Sequence, residues 1–127
     1  MTLEEVLKQY QILPQFEKVH LINPNQRGFE EDTPLHMACR AGEMEDIRVM
    51  LSAGADIDMQ GDLGKTPLHI AVSQNNVELV KLLLEAGANV EITNESGRTP
   101  ADMAEILDRP ELAQLIDEWP RSTPSSS

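Results

Sequence analysis

The stretch Thr33-Pro34-Leu35-His36 recurs along the chain at a fixed interval. Thr66-Pro67-Leu68-His69 repeats it in full, and Thr99-Pro100-Ala101-Asp102 repeats its first two residues. Each Thr-Pro pair follows the previous one by 33 residues, since 66 − 33 and 99 − 66 are both 33. Self-similarity at one period of this size predicts a stack of repeated units, each of which packs on its neighbours.

Each Thr-Pro pair predicts the start of a helix. The threonine hydroxyl can accept a hydrogen bond from the free N–H groups of the first turn. Proline suits the first helical position, where its missing N–H has no partner to lose. One period apart, Gly42, Asn75 and Asp108 stand where these helices should end. Glycine, asparagine and aspartate are the residues that most readily adopt the left-handed backbone of a helix end.

A second, more apolar helix is predicted in each repeat. Its apolar residues are Ile47, Val49, Met50 and Leu51 in the first repeat and Val77, Leu79, Val80, Leu82, Leu83 and Leu84 in the second. Gly54-Ala55-Asp56 and Gly87-Ala88-Asn89 predict where these helices end. The third, at about Glu111 to Trp119, is followed by Pro120 and alternates polar with apolar residues, so it is expected to close the stack.

Together these features resemble the ankyrin repeat family, over about residues 23 to 119, with TPLHxA at 33–38 and 66–71. The resemblance implies an all-α solenoid of stacked helix-turn-helix units with short β-hairpin fingers and a helical cap at each end. The first finger departs from the pattern, because Glu31 stands where Gly64 and Gly97 keep the family's glycine. The expected organisation is an N-terminal helical cap at 1–22, repeats at 23–60 and 61–93, a third repeat that also serves as C-terminal cap at 94–120, and a disordered tail at 121–127.

The N-terminal cap is expected to begin with a helix from about Leu3 to Gln11. Thr2 and Glu5 have the spacing of a capping box, in which each side chain bonds the backbone N–H of the other residue. Apolar residues then recur at helical intervals along one face.

The charge composition of the chain limits the classes of partner that the protein is expected to bind. The 127 residues carry 22 acidic and 10 basic side chains, a formal net charge of −12. This balance argues against nucleic acid and anionic membranes, which need a basic patch. It is consistent with a protein partner that has a basic surface, or simply with solubility. Cys39 is the only cysteine, so an internal disulfide is impossible. Without a signal sequence or a long apolar run, the protein is expected to be soluble and cytoplasmic.

No catalytic or metal-binding pattern is present in the sequence. The resemblance implies that His36 and His69 bond the loops of adjacent repeats, and their spacing does not match a HExxH metal motif. Cys39 is expected to be a buried small residue. The stretch 56–62 lacks the twelfth-position glutamate of a calcium loop, since Pro67 stands there. We therefore expect no enzyme activity, cofactor or metal.

The resemblance further implies that finger tips and the exposed face of each first helix line one concave surface. The residues expected to contact a partner there are Phe29, Glu30, Glu31, Asp32 and Arg40 in the first repeat, Asp62, Leu63, Lys65, Ser73 and Gln74 in the second, and Glu95, Ser96, Arg98 and Leu107 in the third. The residues expected to serve the repeat structure are Thr33, Pro34, His36, Thr66, Pro67, His69, Thr99 and Pro100.

The leading hypothesis is a monomeric, non-catalytic module that binds a protein with a basic surface. Acidic finger residues would steer the encounter and set its register, with Phe29 and Leu63 as apolar anchors. One alternative is an inhibitor or immunity protein that covers a basic enzyme such as a nuclease toxin. Another is a structural scaffold or an engineered array without a native partner.

Overall fold

The computed structural model describes residues 2–13, 25, 27 and 32–119. Its helices are α1 (Leu3–Gln11), α2 (Pro34–Ala41), α3 (Met44–Ser52), α4 (Pro67–Ser73), α5 (Val77–Glu85), α6 (Pro100–Ile106) and α7 (Pro110–Glu118), with a 3₁₀ turn at Asp62–Gly64. These described parts contain no β-strand, so the fold is all-α there and the β-hairpin fingers are not confirmed. The expected tail at 121–127 lies outside the described residues.

The helices pack as pairs that stack on one another. Helix α2 packs on α3, α4 on α5, and α6 on α7. The first helices form a row in which α2 contacts α4 and α4 contacts α6, while α1 lies against α2 and α3. The first helices α2, α4 and α6, with the loops that precede α4 and α6, therefore follow one another along the stack.

The Thr-Pro pairs begin helices as predicted. Thr33, Thr66 and Thr99 have extended backbones and accept the backbone N–H of the residue three positions on, at 3.4, 3.3 and 3.1 Å. In each case the proline occupies the first turn. The loss of one such cap costs about 1 kcal/mol, so the three pairs contribute measurably to the stack.

Helix ends also follow the sequence. Gly42, Asn75 and Asp108 have φ values of 71°, 56° and 61°, which places all three in the left-handed region. The second helices α3 and α5 are followed by Gly54 and Gly87 at φ 97° and 96°. The capping box at Thr2 is present as well, since its backbone N–H donates to Glu5 Oε1 at 2.9 Å.

Aliphatic side chains fill the core. Small residues lie at the same position of each first helix, where Ala38, Ala71 and Ala104 are fully buried and allow the helices to approach. Around them lie Leu35, Ile47, Met50, Leu68, Leu79, Leu83, Leu112 and Ile116. Helix α1 joins this core through Val6 and Leu7, and Tyr10 donates its hydroxyl to buried Asp46 Oδ2 at 2.9 Å.

Hydrogen bonds between loops repeat along the stack with the sequence period. Asp56 N–H donates to Asn25 Oδ1 at 2.7 Å, and Asn89 N–H donates to Asp58 Oδ1 at 2.8 Å. Thus Asp58, although acidic and close to the second finger, uses its carboxylate to join two repeats. These bonds hold the loops in register.

Candidate partner-binding surface

The finger before α4, residues 61–65, presents an apolar side chain at its tip. Gly61 N–H donates to Lys65 O at 2.8 Å, and Gly64 N–H donates to Gly61 O at 2.9 Å. Between them Leu63 has φ 59° and remains 54% exposed. It is absent from the apolar residues that pack on the core. A leucine backbone in the left-handed region is strained, and at this position the strained residue also has an exposed side chain.

The finger before α6, residues 94–98, closes in a similar way but is capped from within. Asn94 N–H donates to Arg98 O at 2.9 Å, and Asn94 Oδ1 accepts the N–H groups of Ser96 and Arg98 at 2.9 and 3.1 Å. The two fingers touch, because Glu95 N–H donates to Leu63 O at 3.0 Å. Their tips therefore form one continuous surface.

The residues predicted to contact a partner fall into four groups, of which the buried Asp32 is one. Most are exposed: Asp62, Leu63, Gln74, Glu95, Ser96, Arg98 and Leu107. Arg40, Lys65 and Ser73 are half-buried. Phe29, Glu30 and Glu31 lie outside the described residues.

Asp32 lies beneath this surface, with only 1% of its area exposed. Its Oδ2 accepts the guanidinium of Arg40, and its Oδ1 accepts the backbone N–H of Asp62 at 3.0 Å. A buried carboxylate needs a counter-charge and hydrogen bonds, and Asp32 has both. Its place in an acidic run suggests a solvated side chain, but the fold directs it inward.

Charge on the fingers is mixed. The carboxylates of Asp62 and Glu95 are exposed near the tips, and Lys65 and Arg98 stand three residues further along each finger. Within the described ranges, none of these four side chains forms a salt bridge. The third repeat is more acidic. Besides Glu95, its exposed carboxylates are Asp102, Glu105, Asp108, Glu111, Asp117 and Glu118.

The carboxyl ends of the first helices also contribute to the candidate partner-binding surface. Gln74 Nε2 donates to Arg40 O at 2.7 Å, and Arg109 Nη1 donates to Val72 O and Ser73 O at 2.6 and 3.0 Å. Beside the predicted Leu107, which is 41% exposed, Ile106 is 55% exposed. The sequence period could have identified Ile106, because it lies 33 residues after Ser73.

His36 and His69 are fully buried. The Nδ1 atom of each ring accepts the backbone N–H of its capping threonine at 3.0 and 3.1 Å, which leaves the proton on Nε2. The Nε2 atom of His36 then donates to Met59 O at 2.8 Å and to Lys65 O at 3.2 Å, and that of His69 to Arg98 O at 2.9 Å.

Both rings thus join a helix start to the following finger. Burial lowers the pKa of both histidines, and for His36 it outweighs the opposing effect of Asp32. The neutral form is the one that fits these bonds, because a protonated Nδ1 would face a backbone donor.

Other chemistry finds no support in the described parts. Burial raises the pKa of the Cys39 thiol to about 12, so the nucleophilic thiolate is suppressed. No group of three or more His, Cys, Asp or Glu residues is placed to hold a metal ion within residues 2–13, 25, 27 and 32–119. Over the same ranges, every helix is too short or too polar to cross a membrane.

Stacked helix pairs with capped fingers between them define a helical-repeat protein of the solenoid type. The family model described as "Ankyrin repeats (3 copies)" matches residues 5–94 and 44–118. The chain therefore belongs to the ankyrin repeat family, and the match reaches back into α1. Comparison with curated protein sequences gives no match. Ankyrin repeats generally mediate protein–protein interactions and are generally not enzymes.

Proposed function

We propose that this protein binds a protein partner through its finger tips and the carboxyl ends of its first helices. The observation that carries the proposal is Leu63, an exposed leucine held at φ 59°. Glycine or asparagine would occupy this backbone position at lower cost. Leu63 is absent from the apolar residues that pack on the core and is 54% exposed, so the fold gains less from it than from a buried leucine. An apolar contact with a partner explains why leucine stands there.

The partner's surface is proposed to be basic near this contact. Asp62 and Glu95 flank Leu63 with exposed carboxylates that are available to lysine or arginine side chains. The net charge of −12 adds a long-range field that speeds the encounter with a positive surface. Lys65 and Arg98, set back from the tips, supply charges of the opposite sign that can fix the register of the partner.

The experiment is affinity capture from a cell lysate with the wild-type protein and two charge-reversed variants. Asp62→Lys/Glu95→Lys reverses the finger tips. Glu85→Lys/Glu118→Lys is the matched control, because it also reverses two exposed acids one period apart, on the second helices. We expect the finger variant to lose the partner and the control to retain it, with capture by the wild type weakening at high salt.

The identity of the captured protein separates the forms of this function. A single basic nuclease would favour an inhibitor, and several unrelated proteins would favour an adaptor. Equal capture by both variants would show that neither finger carboxylate contacts the partner. Absence of any captured protein would favour a structural role.

A further inference from the structure

The fingers at 61–65 and 94–98 are held by different side-chain hydrogen bonds. In the second of them Asn94 caps its own turn by accepting two backbone N–H groups. One period earlier, Gly61 has no side chain with which to do this. The backbone N–H of Asp62 is accepted by the side chain of Asp32, from the preceding repeat, at 3.0 Å, whereas the corresponding N–H of Glu95 donates to the backbone oxygen of Leu63 at 3.0 Å. The finger that carries Leu63 is therefore held by a side chain of the preceding repeat, and the next finger is held there by a backbone oxygen.

The residues that form this ion pair and hydrogen bond do not recur at the equivalent positions of the later repeats. By the period of 33, Asp32 corresponds to Lys65 and Arg98, which are at least partly exposed. Its partner Arg40 corresponds to Ser73 and Ile106, so the later repeats cannot form the same ion pair.

Gly61 completes the arrangement. A Cβ atom at residue 61 would overlap Asp32 Oδ1 and would lie 3.0 Å from His36 Nε2. Asp32 thus depends on two residues, because Arg40 supplies its counter-charge and Gly61 leaves room for its Oδ1.

The two tips also differ in backbone conformation. Leu63 follows the residue whose N–H is held by Asp32, and it has a positive φ. Ser96, its equivalent in the self-capped finger, does not. We propose that Asp32 is a positioning residue that holds the tip of the 61–65 finger so that Leu63 projects from the surface in its left-handed conformation. Its importance for binding rests on the proposed function, but the positioning itself can be measured without a partner.

The test compares two variants without charge at the ion pair. Asp32→Ala/Arg40→Met removes the pair and the acceptor for Asp62 N–H. Asp32→Asn/Arg40→Met removes the same charges but keeps a side-chain oxygen that can accept. Both are expected to fold, because replacing a buried ion pair by neutral side chains is often neutral in stability.

Hydrogen exchange and NMR couplings of the free protein give the result. In the alanine variant the Asp62 amide should exchange at least about tenfold faster than in the wild type, since a hydrogen bond to a charged acceptor is lost. The one-bond Cα–Hα coupling of Leu63 should move to the value for negative φ. The asparagine variant should retain both wild-type signatures. Identical exchange and identical Leu63 couplings in the two variants would overturn the proposal.

The affinity for the partner then distinguishes the positioning role of Asp32 from the proposed contact at Leu63. If Asp32 positions a contact residue, the alanine variant should bind the captured partner about tenfold more weakly than the asparagine variant, which equally lacks the Arg40 charge. Equal affinities together with a displaced Leu63 would leave the positioning role standing and refute the proposed contact at Leu63.

Discussion

Replacing Leu63 by glycine should stabilise the fold and weaken binding. A non-glycine residue in the left-handed region costs about 1 to 2 kcal/mol, which glycine avoids. Glycine gives back about 0.5 to 1 kcal/mol through the greater freedom of the unfolded chain. Because Leu63 is 54% exposed and is absent from the apolar residues packed on the core, the change removes less burial than it would at a core leucine. The net expectation is a gain of about 0.5 to 1 kcal/mol in the free energy of unfolding.

Chemical and thermal denaturation of Leu63→Gly would measure this gain, which corresponds to roughly 2 to 4 °C in Tm for a domain of this size. Ser96→Gly is the matched control. It lies one period later on the neighbouring finger, and its φ is not positive, so glycine relieves no strain there. The control should lose about 0.5 to 1 kcal/mol.

Binding is the second readout, and it should change in the opposite direction. An apolar anchor that is removed from an interface costs at least about 1.4 kcal/mol, or tenfold in Kd. Leu63→Gly should therefore be more stable than the wild type and bind the partner more weakly. A loss of stability larger than that of Ser96→Gly would refute the strain argument. An unchanged Kd would refute the role of Leu63 as an anchor.

Two further predictions concern buried groups. Burial lowers the pKa of His36 and His69 below the ordinary value of about 6.5, so below that value the unfolded chain binds protons that the folded chain does not. The corresponding stability is complete above about pH 7 and should fall as the pH drops below about 6.5, by up to about 1.4 kcal/mol per pH unit for each histidine. Urea denaturation across this range measures the fall, and ring NMR signals of both histidines that titrate near their ordinary pKa in the folded protein would contradict it. The Cys39 thiol, with its pKa raised to about 12, should react with a disulfide reagent only when denaturant exposes it, whereas rapid labelling of the native protein would show that the site is open.

The acidic run that ends at Asp32 shows why a change of charge must be chosen from the structure. Reversal of Asp32 to lysine would place a second cation against Arg40 in a buried site, where an unpaired charge costs several kcal/mol. Such a variant would report on the stability of the fold and not on the partner-binding surface. Reversal of Asp62 and Glu95 tests the surface, since both carboxylates are exposed.

Much of the fold was predictable because its signals are local. A threonine cap depends on the backbone three residues ahead, and a left-handed helix end depends on a residue that tolerates positive φ. Thr33, Thr66 and Thr99 therefore begin helices, and Asn75 and Asp108 end them, as their chemistry alone predicts. Because these signals recur every 33 residues, they also predict that helices begin and end at equivalent positions in each repeat.

The sequence by itself determined where the helices begin and end, which faces they bury, and that the chain is a repeat stack. Only the tertiary structure decided that Asp32 is buried and that Leu63 is exposed at positive φ. The reason is that these outcomes depend on contacts between repeats. Asp32 is neutralised by Arg40 on the next helix and reaches across to Asp62, where Gly61 leaves room for its carboxylate. No local sequence pattern predicts these contacts, because none of these residues belongs to a motif that would indicate its partner.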